Sequence, residues 1–133
     1  MELIVVIVLL GILAAFAIPR FFTLNDYQTR TAYDEVVGAV RYAQKLAVAS
    51  GCPVRVQLAA GGYSLQQRAD CDTGIFADIS ADHPVSSSNF DSVALSPTDF
   101  TFDAMGRSSK EVDIDVGDLS FTVVADTGYV DAP

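Results

Sequence analysis

The sequence predicts an α+β domain: a long N-terminal helix, apolar in its first half and amphipathic in its second, packed on an antiparallel β-sheet. Three observations carry this. Between Leu3 and Ile18 no polar side chain occurs. Tyr33, Val36, Val37, Val40, Ala43, Leu46 and Ala47 then recur at steps of three and four, the period of one helix face. Beyond Pro53 the pattern changes to alternation of apolar and polar residues, the period of a half-buried strand.

The first helix starts with an acid, Glu2, and runs apolar to Ile18. At ~1.5 Å per residue it is about 24 Å long, short of the ~30 Å hydrocarbon core of a bilayer. Such a run is a membrane span lacking its front end, or a buried helix that needs a partner. It does not have the basic start and small-x-small end of a secretory signal. Pro19 removes a backbone donor and favours a kink or break, and Arg20 marks the return to polar surroundings.

The amphipathic half spans 27–50, with Arg30, Asp34, Arg41 and Lys45 off the apolar face. Gly51 suits the C-terminal cap and Pro53 blocks continuation. At 133 residues there is room for one compact domain behind the front helix, so the chain divides into 1–20 and 21–133.

Val54–Leu58 and Tyr63–Gln67 read as a hairpin turning on Gly61-Gly62. That register sets Val56 opposite Gln67, Leu58 opposite Leu65 and Arg55 opposite Arg68. Val54, Val56, Leu58 and Leu65 share the apolar face. It also places Cys52 opposite Cys71 at the hairpin base, within disulfide range. A Cys52–Cys71 disulfide is therefore expected, the other reading being two reduced core thiols.

Residues 72–98, rich in turn formers, read as a long surface excursion with at most a short strand around Val93–Leu95. Strands at Thr98–Asp103, Glu111–Val116 and Leu119–Ala125 follow, with a terminal Tyr129-Val130. Met105-Gly106-Arg107 and Asp126-Thr127-Gly128 read as turns.

Charge narrows the function. Residues 1–69 carry 4 acids and 6 bases, net +2; residues 70–133 carry 13 acids and 2 bases, net −11. An acidic distal half argues against binding nucleic acid or anionic lipid, since both depend on Lys and Arg. Two cysteines without Cys-x-x-Cys spacing and one histidine argue against zinc.

No catalytic constellation is visible, so no enzyme and no cofactor are expected. His83 reads as a solvated loop histidine and Ser86–Ser88 as a flexible loop without a base. Glu111, Asp113 and Asp115 alternate with Val112, Ile114 and Val116, as the outer face of a half-buried strand requires, and the spacing to Asp118 lacks a full calcium-loop pattern. Arg55, Arg68 and Arg107 would make an anion site only if the fold gathered them. Glu2 complements the helix dipole, yet an ionised acid in lipid or an apolar bundle is costly unless paired.

The run from Glu2 through Gly11 to Pro19 resembles the N-terminus of type IV pilin-like proteins, in which a glutamate at position five opens an apolar helix with a proline about seventeen residues on. Tyr42–Val56 and Phe102-Asp103-Ala104-Met105-Gly106-Arg107 are similar to minor pilins and pseudopilins of the GspH/FimT type. Within that group, the early Cys52-Pro53 and the Ala17-Ile18-Pro19-Arg20-Phe21 run resemble a minor pilin of the mannose-sensitive haemagglutinin pilus.

The resemblance implies a pilin-like fold and assembly rather than catalysis. It implies an inner-membrane single-pass anchor with a periplasmic domain, later drawn into a pilus or pseudopilus. The implied partners are other pilin or pseudopilin subunits, the assembly platform, and a prepilin peptidase acting on a longer precursor. Glu2, Gly11 and Pro19 take the assembly positions. The expected basic leader and Gly–Phe cleavage site would precede Met1. A tip adhesin using the 72–98 excursion is the alternative, and a DNA-uptake role conflicts with the acidic half.

Overall fold

The computed structural model describes residues 2–17, 24–80, 83, 85–90 and 92–133, with the side chains of residues 2, 15–17, 24 and 25 outside that description. Two helices, α1 (Glu2–Ala17) and α2 (Leu24–Ser50), precede eight strands. The expectation of one continuous helix falls on residues 18–23, outside the described residues, as does Pro19.

Helix α2 starts earlier than the periodicity alone suggested, at Leu24, with Asp26 in its first turn complementing the helix dipole. Its apolar face is buried at Ala32, Tyr33, Val36, Val37, Val40, Ala43 and Ala47, whereas Leu46 is half-buried. Arg30, Asp34, Arg41 and Lys45 face solvent, as their spacing requires. The helix ends where Gly51 adopts φ 67°, a conformation that glycine reaches without steric cost.

The buried face of α2 packs on two antiparallel sheets. The first contains β1 (Val54–Ala59), β2 (Gly62–Arg68), β3 (Phe76–Asp78), β4 (Ser87–Asn89) and β5 (Thr98–Phe102), ordered β3-β2-β1-β5, with β4 also paired to β2. The second is β6 (Val112–Val116), β7 (Leu119–Val123) and β8 (Val130–Asp131). A bridge between Leu95 and Val116 links the segment after β4 to the edge of β6. Phe100, Phe102, Leu65 and Ile114 are among the largest side chains in the shared core.

The hairpin departs from expectation in its register and in its turn. The hairpin pairs Val54 with Gln67 and Val56 with Leu65, so its register differs by two residues from the expected one while both faces stay as read. The turn is Ala60-Gly61, because Gly62 is occupied elsewhere: a Cβ there would collide with the Ser88 carbonyl of β4. The carbonyls of Ala60 and Gly61 accept from the amides of Leu95 and Phe90, so the following segment, not turn propensity, holds the turn.

The excursion 72–98 is likewise more ordered than expected. It supplies β3 and β4, which pair with opposite ends of the same β2 edge. Ser87 and Ser88, read as flexible loop, form part of β4. These strands cover an edge that would otherwise present unpaired backbone groups.

Candidate assembly interface

Helix α1 has no polar face. Of the fifteen exposed large apolar side chains among the described residues, ten belong to α1, from Leu3 at 72% exposure to Leu13 at 65%. Gly11 has nothing within 4 Å of the position its Cβ would take, so no contact among the described residues requires a glycine there. No helix among the described residues is long and apolar enough to cross a membrane. The side chain of Glu2 lies outside the description, so its surroundings do not enter the geometry.

Toward the C-terminal end of α2 one side chain ties three elements together. The amide nitrogen of Gln44, on α2, donates to the Gly106 carbonyl at 3.0 Å and to the Thr127 carbonyl at 3.1 Å. The two turns fit because Gly106 (φ 80°) and Gly128 (φ 64°) carry no Cβ. Beside Gly106, Asp103 Oδ1 accepts from the amides of Met105 and Arg107, both at 2.9 Å. Its Oδ2 pairs with the Arg107 guanidinium at 2.8 Å. The Phe102–Arg107 motif is thus a self-closed loop whose first residue is core and whose glycine meets α2. Gln44 is a polar residue on a half-buried helix face, and the paired glycine turns were the only sequence signal for its role.

Cys52 and Cys71 form a disulfide, with Cα atoms 4.5 Å apart. The pairing is as expected but the route differs. In the actual register the two are not direct cross-strand partners; β2 ends at Arg68, and the turn after it carries Cys71 back to Cys52. The bond ties the end of α2 to the segment leading into β3. Ser50 supports the same corner, accepting from the Cys52 amide at 3.3 Å and from the Gln67 side chain at 2.7 Å.

The residues weighed for chemistry are placed structurally. His83 is exposed but not merely solvated: its Nδ1 lies 3.0 Å from the Tyr42 hydroxyl on α2, which anchors the excursion. Arg107 is committed to Asp103. Arg55 and Arg68 do come together, over the ring of Phe76, although the residue that gathers them was read as loop. Glu111, Asp113 and Asp115 face solvent while Val112, Ile114 and Val116 are buried, as the alternation requires. An open groove of about 580 Å³ lies between the first turns of α2 and the β6–β7 turn, lined by Asp26, Tyr27, Thr29, Arg30, Asp118 and Leu119. These residues offer no nucleophile paired with a base.

The pilin-like arrangement of a helix against antiparallel sheets matches solved structures. Two crystal forms of the type IV minor pilin FimU of Pseudomonas aeruginosa superpose with TM-scores of 0.58 and 0.59, at 16% identity. They cover 78% and 84% of this chain and 91% and 92% of the FimU chains. At that identity the match establishes the fold alone. The model of the family described as type II transport protein GspH matches residues 32–129, from the buried face of α2 to the last turn. The chain belongs to the GspH family. This GspH-family chain is also 38% identical over 89 residues to the type IV narrow pilus major component PilA5 of Thermus thermophilus, covering 61% of this chain and 77% of that protein. The type IV pilin-like character read from the front motif and from Phe102–Arg107 is therefore established. Proteins of this kind are structural rather than enzymatic, membrane-anchored and assembled in filaments.

Proposed function

We propose that the chain is a minor pilin or pseudopilin that helps to initiate or cap a type IV pilus or a type II secretion pseudopilus. The observation that carries this is the concentration of exposed large apolar side chains on α1. A surface of that size requires a non-aqueous partner. On this reading α1 is held in the inner membrane with the domain in the periplasm, after a prepilin peptidase has processed a longer precursor. The assembly platform then draws the helix into a bundle with neighbouring subunits.

Each assembly position has a physical task. Glu2 pairs with the N-terminal amine of a neighbouring subunit, which offsets the loss of solvation in the bundle. Gly11, with open space around it, lets a neighbouring helix approach closely. Pro19 bends the helix where it leaves the apolar layer. Glu2→Ala is expected to leave the membrane-held pool unchanged and to abolish incorporation into sheared filaments. Unchanged incorporation refutes the pairing.

One observation favours a second reading, a shaft subunit: the relative at 38% identity is described as a major pilus component. Immunogold labelling of filaments separates the two. Label confined to ends supports initiation or capping, and label along the length supports the shaft.

A further inference from the structure

Two arginines meet on the outer face of the first sheet. The Cζ atoms of Arg55 and Arg68 lie 4.1 Å and 4.7 Å from the centroid of Phe76. The register places them there. Arg68 pairs with Phe76 across β2 and β3, and Arg55 pairs with Gln66, two residues from Arg68 on the same face. Cation–π attraction holds each guanidinium to the ring.

Neither guanidinium has an anion of its own among the described residues, where the ion pair is Arg107–Asp103. Asp78, the acid on the adjoining strand, accepts instead from Gln66 at 3.0 Å. Arg68 makes one long contact, 3.5 Å, to the Asp72 carbonyl. The Nε atoms of both arginines are buried without a partner, and the Nη ends are the donors left to a ligand. Ile75, next to Phe76 in the chain, is 90% exposed and gives the platform an apolar edge.

The same face continues as a neutral polar surface. Gln57 follows Arg55 by two residues on β1, roughly 7 Å along an extended strand. It pairs with Ser64, and together with Asn89 these residues line an open groove of about 310 Å³. Gln57, Ser64 and Asn89 make no side-chain hydrogen bond among the described residues. Amides and hydroxyls set side by side both donate and accept, as the hydroxyls of a sugar do. A dense polyanion fits poorly: Asp78 and Asp99 lie on this face, and residues 70–133 carry a net charge of −11. A single carboxylate among neutral groups meets the two guanidiniums without that repulsion.

We propose that this face binds an acidic oligosaccharide, with one sugar carboxylate on Arg55 and Arg68 and a neutral neighbouring sugar in the Gln57–Ser64–Asn89 groove. The site goes beyond the assembly role and does not depend on it.

The probe is an oligosaccharide that alternates glucuronate with N-acetylglucosamine, titrated against the full chain in detergent. Binding is expected to saturate and to be at least roughly tenfold tighter than that of the uncharged N-acetylglucosamine oligomer. Arg55→Gln with Arg68→Gln is expected to remove that advantage. Gln57→Ala with Asn89→Ala keeps the arginines and is expected to weaken binding by roughly fivefold. Lys110→Gln, at an exposed base before β6, is expected to bind like the parent. An intact disulfide and parent-like circular dichroism check the fold of each variant. The arginine double variant is also expected to enter sheared filaments like the parent. The proposal is overturned if the probe does not saturate, if the uncharged oligomer binds equally well, or if either double variant keeps the parent's affinity. Tighter binding of duplex DNA or of a poly-glutamate peptide overturns it in favour of a general anion surface or a protein contact. Loss of filament incorporation in a folded arginine variant makes the face a subunit contact and overturns it as well.

Discussion

The hydroxyl of Tyr63, on β2, donates to the carboxylate of Glu35, on α2, at 3.4 Å. It is a polar contact between the helix and the first sheet at a tyrosine whose ring is buried. Burial, then the nearby Glu35 charge, then this hydrogen bond push the Tyr63 pKa up to about 12.

The sign of the linkage follows. Tyr63 ionises near 10.0 when unfolded and about 12 when folded, so its stabilisation is fully present below pH 10 and is lost as pH rises through 12. The slope is at most about 1.4 kcal/mol per pH unit. Urea midpoints of the detergent-solubilised chain are expected to fall more steeply between pH 10 and 11 than those of Tyr63→Phe. Parallel curves for the two proteins would exclude the coupling.

The Cys52–Cys71 bond closes a loop of sequence separation 19. Cross-linking a loop of that size stabilises by about 3 kcal/mol, mainly by restricting the unfolded chain. Cys52→Ser with Cys71→Ser is expected to lower the thermal midpoint by roughly 10 °C or more. Reductant is expected to give the same shift in the parent and none in the variant. Circular dichroism in detergent reads both.

What was legible in the sequence is what periodicity encodes. The buried face of α2 and the two faces of the β1–β2 hairpin follow from steps of three and four and of two. The hairpin register was missed because Gly62 serves the approach of Ser88, a contact more than twenty residues away that turn rules do not contain. β3 and β4 were missed because Phe76–Asp78 and Ser87–Asn89 are three-residue edge strands. Backbone pairing to β2 holds such strands, and they carry no apolar alternation. The same omission hid the meeting of Arg55 and Arg68, since Phe76 fell in apparent loop. Glu2, Gly11 and Pro19 were legible as a spaced motif, and the tasks proposed for them lie between subunits, where one chain holds no partner.

The glycines of the two distal turns are expected to differ in tolerance. A Cβ on Gly128 collides with the Gly106 carbonyl, which is backbone and cannot rotate away. A Cβ on Gly106 meets the Val48 Cγ2 at 2.9 Å, a side-chain atom of an exposed residue rather than backbone. Both positions also carry the left-handed strain of about 1–2 kcal/mol for a residue with a Cβ. Gly128→Ala is therefore expected to cost about 1–3 kcal/mol more than Gly106→Ala, the overpacking range. Chemical denaturation of the two variants measures the difference, and equal losses would show that the turns move apart freely.

The last test separates shape from charge in the Phe102–Arg107 loop. Burial alone would raise the Asp103 pKa, but hydrogen bonds from the Arg107 amide and guanidinium and the Met105 amide outweigh it and hold it below its ordinary 3.8. A carboxylate depressed in this way adds stability above pH 3.8 that is lost as pH falls through its folded value. Asp103→Ala removes every acceptor and is expected to cost about 1–2 kcal/mol. Asp103→Asn keeps an oxygen for the two amides and loses the ion pair with Arg107. That pair is largely solvent-exposed, so the Asn variant is expected to lose less than about 1 kcal/mol. Its acid unfolding limb is expected to be shallower than the parent's below pH 4. If Asn and Ala cost the same, the guanidinium rather than the amide bonds closes the loop.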